Sequence, residues 1–309
     1  MMLKAPQDVR ILVVGSLNMD VVFRVTHLPR PGETRMGESL EQVPGGKGAN
    51  QAVAAARLGA HVDMIGRLGD DDPGTALRNQ LHRDGVGTAA VTTTNAVSSG
   101  VAIIGVEDSG QNCITVIPGA NGRLTADDIA RSAPLFSAAD VVLLQLEVPL
   151  PTVARAMDMA RQHHVTVLLD PAPAVEQLPQ ELRQADVLCP NETEASLLTG
   201  IDVHNLASAE AAARTLQRTT GGHIMLTMGG DGVLVVMSDG TCEHVPAVNV
   251  DAVDTTAAGD AFAGAVGVYL AMGGSILDAA RFGCRAGALA ASRPGAQPAM
   301  PTWAEVSGS

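Results

Sequence analysis

The sequence predicts an α/β protein, with a mostly parallel central sheet covered by helices on both faces and a small β-sheet lid. Three observations predict it. Apolar runs of strand length alternate with helical patterns along the chain, an order that calls for right-handed βαβ crossovers. Several of those runs are apolar at every position, as strands buried between two helix layers are. Of the 309 residues 46% are apolar but only 2% aromatic, so the core is built from Ala, Val, Leu and Ile, which lets helices pack closely on a sheet.

In chain order, strands are expected at residues 11–15, 62–65, 141–146, 165–169, 187–188, 224–227 and 233–236. Helices are expected at 49–58, 74–83, 152–163, 192–198, 207–218, 258–272 and 276–292. Two segments, 21–43 and 97–117, break the alternation: they are short, polar-interrupted and β-like, with turn signals at Pro31-Gly32 and Ser109-Gly110. With their flanks they are expected to form lid segments, about 19–44 and 97–118, inserted in a single α/β domain over 1–309. In open sheets of this kind ligands sit beyond the carboxyl ends of the strands.

Composition excludes several function classes. Acids outnumber bases by 33 to 20, a net charge of −13. So acidic a surface disfavours general nucleic-acid or anionic-membrane binding, and base stacking would need more rings. One local positive site for a phosphate is still allowed. The longest uncharged stretch, 261–277, is rich in Gly and Ala. It falls short of the roughly 20 strongly apolar residues of a membrane span and reads as a buried helix. Cys113, Cys189, Cys242 and Cys284 form no CxxC pair or zinc pattern, and Cys189 reads as a buried thiol. The opening MMLKAPQDVR has no apolar signal core. The expected location is the cytoplasm.

Six clusters could carry chemistry. Gly45-Gly46-Lys47-Gly48-Ala49-Asn50 opens a helix: glycines allow close backbone approach, Lys47 adds charge, and Asn50 both donates and accepts. It is not a Walker loop, because Gly48 replaces the Ser or Thr and Glu41 the first Gly. A glycine turn entering a helix is the alternative. Asp254-Thr255-Thr256-Ala257-Ala258-Gly259-Asp260 leads into the next helix; its small residues would expose N–H groups to an anion, and Asp260 would suit a hydroxyl that must lose a proton. A plain N-cap remains open for Asp254 and Asp260. Asn191-Glu192-Thr193-Glu194 is functional or a capping-box variant. Gly15-Ser16-Leu17-Asn18-Met19-Asp20 places Asn18 and Asp20 on one side of an extended chain, as for sugar hydroxyls or a polar turn. Glu147, in Gln145-Leu146-Glu147, ends an apolar strand. Thr227-Met228-Gly229-Gly230-Asp231-Gly232 is a glycine turn between two strands. The adjacent His163 and His164 read as surface residues on a helix.

Together these clusters resemble the ribokinase, or PfkB, family of carbohydrate kinases. The likeness runs from about Ile11 to Pro301, and its ribokinase branch is matched by residues 46–56 (GKGANQAVAAA), 118–121 (PGAN), 170–174 (DPAPA), 190–194 (PNETE) and 294–298 (PGAQP). The resemblance implies a ribokinase-like fold and ATP-dependent phosphorylation of D-ribose on its 5-hydroxyl. It implies Asp260 as general base and an anion hole from the N–H groups of Ala257, Ala258, Gly259 and Asp260. Asn18, Asp20, Gly46, Lys47, Gly48, Asn50 and Glu147 match positions that hold the sugar. Asn191, Thr227, Met228, Gly229, Gly230, Asp231, Gly232 and Gly259 match positions at the nucleotide. Glu194 matches one that holds Mg²⁺ through water, and Asp254, Thr256, Ala290, Arg293 and Gly295 match a monovalent-cation site, usually K⁺. It further implies a homodimer through the lid. Two positions depart from the pattern: Cys284 stands where relatives usually have Asn or His beside the adenine, and Ala299 where many have Ser near the cation. The other readings are a kinase of the same fold for 2-deoxyribose, another sugar or a nucleoside, and, more distantly, a non-catalytic sugar-binding protein. An NAD-dependent oxidoreductase lacks its GxGxxG loop here.

Overall fold

The computed structural model describes residues 3–308; Met1 and Met2 of the opening segment, and Ser309, lie outside it. Its strands are β1 (Arg10–Val14), β2 (Asn18–Val25), β3 (Ser39–Gly45), β4 (His61–Gly69), β5 (Gly87–Thr94), β6 (Gly100–Glu107), β7 (Asn112–Ile117), β8 (Val141–Leu144), β9 (Thr166–Leu169), β10 (Val187–Leu188), β11 (His223–Thr227), β12 (Val233–Val236) and β13 (Cys242–Val245). The helices are α1 (Lys47–Arg57), α2 (Asp72–Arg83), α3 (Ala126–Arg131), α4 (Ala133–Ala138), α5 (Leu150–Gln162), α6 (Glu192–Thr199), α7 (Leu206–Thr220), α8 (Ala258–Ala271), α9 (Ile276–Ala291) and α10 (Trp303–Ser307).

Nine strands form one sheet in the order β13-β12-β11-β10-β9-β8-β1-β4-β5. Every pairing from β11 to β5 is parallel, and β12 and β13 close the far edge antiparallel. Alternate residues of one strand feed two cores: Ile11 and Val13 pack with α1, α2, α8 and α9, while Leu12 and Val14 pack with α3 to α7. That double burial is why the strands read as unbroken apolar runs.

The scarcity of aromatics follows from helix spacing. A Cβ on Gly264 of α8 would lie 2.7 Å from the Ala54 Cβ of α1, and one on Gly267 would lie 2.8 Å from Leu143 of β8. Helix α8 therefore sits directly on its neighbours and is buried along most of its length. Most of the uncharged stretch up to Met272 is core, after which it turns, with Gly273 and Ser275 exposed; among the described residues no helix is long and apolar enough to cross a membrane.

The second sheet runs β3-β2-β6-β7, with β2 and β6 parallel and the outer pairs antiparallel. The start of β2 is buried, whereas β7 is exposed at every residue, so this sheet grows out of the core into solvent.

Some elements differ from expectation. Strands β5 and β13 stand at the two edges of the large sheet with mixed burial, and so carry no unbroken apolar run. The ladder of β8 stops at Leu144, so Glu147 lies in a bent segment beyond the strand instead of ending it. His163 and His164 are exposed but lie past the end of α5, with His164 at φ +56°.

Candidate active site

The start of α1 follows β3, and Gly46 supplies the turn at φ +90°, where a Cβ would meet the Asn18 backbone nitrogen at 2.6 Å. Helical spacing then puts Lys47, Asn50, Gln51 and Ala54 on one face. That face meets the first turn of α8, where Asp260 is 4% exposed. Asn50 Nδ2 donates to Asp260 Oδ2 (2.9 Å) and Gln51 Nε2 to Asp260 Oδ1 (3.2 Å). Gln51 Nε2 also donates to Asp170 Oδ2 (2.9 Å), and Lys47 Nζ lies 4.0 Å from the same oxygen.

A second carboxylate closes the opposite wall. Glu147 Oε2 accepts from the Ser16 hydroxyl, from Lys47 N (3.2 Å) and from Asn18 Nδ2 (3.4 Å). Asn121 Nδ2 donates to Asn18 Oδ1 (2.7 Å), which leaves the Asn18 amide one orientation. Among the described residues Asn50 Oδ1 is buried without a partner, an acceptor whose burial cost a donor such as a hydroxyl would offset.

Five acids share this space with one lysine. Burial, with Glu147 and Asp260 nearby, pushes Asp20 up to about 7. Burial pushes Asp170 up to about 8 against the pull of Lys47, and it raises Glu194. Asp260 is raised by burial, opposed by Lys47 and by the Asn50 and Gln51 hydrogen bonds. Burial pulls the Lys47 ammonium down, but the surrounding carboxylates more than offset it and hold it charged.

On the other side of Asp260 lies an open cleft of about 670 Å³. Its walls are the loop between β11 and β12, residues 247–250 with Ala252, and small residues of α9 such as Gly283, Gly287 and Ala288. The first turn of α8, Ala258 to Asp260, ends in it. The Ala258 N–H already donates to Thr255 O (3.2 Å), so Gly259 and Asp260 supply the N–H groups that a helix start leaves without intrahelical partners, an anion site backed by the helix dipole. Neither Asp254 nor Asp260 caps α8: its N-cap is Ala257.

The sequence-derived residues divide as follows. Lys47, Asn191, Thr227, Gly229, Gly230, Gly232, Thr256, Ala258, Gly259, Asp260 and Cys284 line the cleft; Met228 and Asp231 do not. Asn191 and Glu194 form a full capping box for α6, with both Glu194 oxygens taken by Asn191, and it is Glu192 that lines the cleft. Asp254 accepts from Thr256 N (3.0 Å) and from Gly295 N (2.9 Å), while Arg293 N donates to Ala290 O (3.1 Å). The Arg293 side chain turns away to Glu305. Sequence reasoning missed roles for Ser16, Gln51, Asn121, Gln145 and Asp170 and the lining by residues 247–250 and Ala252. Gln51 had a signal, its place on the helix face of Lys47; the 247–252 segment contributes mostly small and apolar residues and had none.

Comparison with known proteins gives concordant matches. The model for "pfkB family carbohydrate kinase" matches residues 9–303. The chain is 41% identical to a ribokinase of Bacillus subtilis, over 96% of this chain and 97% of that protein. It is 38% identical to a deoxyribokinase of Salmonella typhi, over 94% of this chain and 95% of that one. Its structure superposes on Arabidopsis thaliana ribokinase complexed with ribose and ATP with a TM-score of 0.88 at 30% identity, covering 96% and 97% of the two chains.

Proposed function

From the premise that this chain belongs to the pfkB family of carbohydrate kinases, we propose that it transfers the γ-phosphoryl group of ATP to the 5-hydroxyl of D-ribose. One observation carries the reading: buried Asp260 lies at a helix start, between a cage of polar side chains and an open cleft. Phosphoryl transfer needs positioning and charge stabilisation more than covalent help from the protein, and these are what the two sides supply.

In this reading the sugar occupies the cage of Asn18, Asp20, Gly46, Lys47, Gly48, Asn50 and Glu147. The three donors on Glu147 Oε2 leave its other oxygen for sugar hydroxyls, and Asn50 Oδ1 accepts another. Asp260 takes the proton of the attacking hydroxyl. Of the Ala257–Asp260 turn, the N–H groups of Gly259 and Asp260 stabilise the charge on the transferred phosphoryl, the Ala258 N–H being taken by Thr255 O. Asn191 and the Thr227–Gly232 loop hold the nucleotide.

Mg²⁺ arrives with ATP and offsets phosphate charge. Among the described residues no three acidic, His or Cys groups form a metal cage. Glu194, the residue expected to hold the ion through water, has both oxygens on Asn191, and Glu192 is the carboxylate of this helix that lines the cleft. For a monovalent cation the fit is good: Asp254 is one carboxylate held below its usual range, despite burial, by Thr256 and Gly295 donors, beside main-chain oxygens of the Ala290–Gly295 turn. We further propose a homodimer through the lid, whose β7 exposes Ile114, Val116 and Ile117, and a cytoplasmic location, consistent with four unpaired cysteines.

The test is ADP formation with Mg²⁺ and ATP against ribose, 2-deoxyribose, other pentoses, fructose and adenosine, each in K⁺ and in Na⁺. Ribose is expected to give the highest kcat/KM, and K⁺ to raise it. The deoxyribokinase relative makes 2-deoxyribose the second candidate; a higher kcat/KM for it would overturn the ribose assignment and keep the kinase.

A further inference from the structure

Gln51 is fully buried and touches no cleft, yet it bonds to three side chains of the site. Its Oε1 accepts from Gln145 Nε2 at 2.6 Å. With that end occupied, the amide has one orientation, and its two N–H bonds meet Asp260 Oδ1 and Asp170 Oδ2. The flipped amide would set a carbonyl against two carboxylates. Two glycines make the arrangement possible. A Cβ on Gly15 would lie 2.0 Å from Gln145 Oε1, and one on Gly264 would lie 3.0 Å from the Gln51 carbonyl oxygen.

We infer that Gln51, locked by Gln145, is a positioning residue that fixes the orientation of the Asp260 carboxylate and ties it to Asp170. It acts through Asp260 and not on the substrate. The inference rests on the reading of Asp260 as general base. Gln51 does for Asp260 Oδ1 what three converging donors do for Glu147 Oε2, while Asn50 Nδ2 holds the other Asp260 oxygen.

The charged groups around Asp260 are Lys47 on α1, Glu147 beyond β8, Asp170 beyond β9, Asp20 on β2 and Glu194 on α6. Four of these five are acids, and Lys47 is the lone cation among them. In that setting the Gln51 donor is one of the few groups that favour the ionised carboxylate, together with Asn50 and Lys47. Removing it raises the acidity limit below which the base is protonated.

The experiment measures kcat against pH at saturating sugar for the full-length wild type, Gln51→Met and Gln145→Met, with the KM for ribose and ADP binding as controls. Methionine fills a similar volume without hydrogen bonding. For Gln51→Met the acid limb is expected to move up by about one pH unit, with kcat at pH 7 lower by about tenfold and both controls within about twofold. Gln145→Met, which touches neither carboxylate, is expected to move the limb the same way by less, and it carries the test if Gln51→Met does not fold. Losing kcat with no movement of the limb, or keeping the wild-type profile in both variants, overturns the inference. Asp260→Asn separates the two claims. If it is inactive while Gln51→Met is normal, only the role of Gln51 fails; if it keeps wild-type kcat, the general base itself is misassigned.

Discussion

The two sides of Asp260 are built from different materials. The side proposed for the sugar is a cage of side chains: Asn18, Asp20 and Asn50 are 2%, 9% and 5% exposed, with Asn18 held by Asn121 and Asn50 by Asp260 before any ligand arrives. The side proposed for the nucleotide is an open cleft in whose walls glycines, alanines and threonines are common. The contrast follows from what each ligand offers. A sugar presents many similar hydroxyls, and only donors and acceptors fixed in advance can tell one arrangement from another. A polyphosphate presents concentrated charge, which a helix start binds through backbone N–H groups whatever side chains lie nearby.

The largest expected effect is at the point where the two sides meet. Asp260→Asn keeps the shape and its packing but removes the proton acceptor, so kcat is expected to fall at least about 10²-fold, with ADP affinity retained. Steady-state kinetics and ADP titration check it, and near-normal kcat would break the assignment. Next comes Glu147→Gln, which strikes the sugar side alone. An amide at this position cannot accept from all three donors on Oε2 as the carboxylate does. The KM for ribose is expected to rise by about tenfold or more, with ADP binding unchanged. Equal losses for sugar and nucleotide would show that the two sides are not separable.

The comparison extends to stability. Burial holds Asp20 up to about 7 and Asp170 up to about 8, against an ordinary value of 3.8 in the unfolded chain. Between pH 4 and 8 the native state therefore binds protons that the unfolded chain has released, and stability falls as pH rises through that window. Asp254, on the other side, is held low by Thr256 and Gly295 donors despite its burial. Its contribution is present above the ordinary carboxylate range and is lost as pH falls below it. Calorimetry without ligand is expected to give a Tm a few degrees lower at pH 8 than at pH 5.5. Asp170→Asn is expected to flatten that slope, and an unchanged slope would refute the elevated carboxylates.

How much of this was legible in the sequence differs between the same regions. The strands of the large sheet were readable because burial on both faces makes each an unbroken apolar run; edge strands β5 and β13 have one wet side and were not. The starts of α1 and α8 stood out for small residues beside a charge, though a glycine turn and a plain N-cap stayed open there until the structure put Ala257 at the cap of α8. The supports behind them were not. Gln51 looks like any polar helical residue until the fold brings it to Asp260, 209 positions away. Asn121 and Asp170 sat in quoted motifs without a role, since a buried amide or acid shows its purpose only through its partner. Residues 247–250 and Ala252 line the cleft as mostly small and apolar residues, which leaves little trace in residue types.

The smallest expected effect tests the nucleotide side at its one unusual side chain. Cys284 lies on the α9 wall between small neighbours, and burial pushes its thiol up to about 11, so it stays neutral near pH 7. A neutral thiol is a modest donor and acceptor and serves chiefly as a small apolar surface. If the cleft binds by shape and backbone, Cys284→Ala removes one sulfur's worth of contact and the KM for ATP is expected to rise by about fivefold or less, with the ribose KM unchanged. A rise of about a hundredfold would mean that the thiol makes a specific bond to the base, and the cleft would then share with the sugar side its reliance on placed side chains.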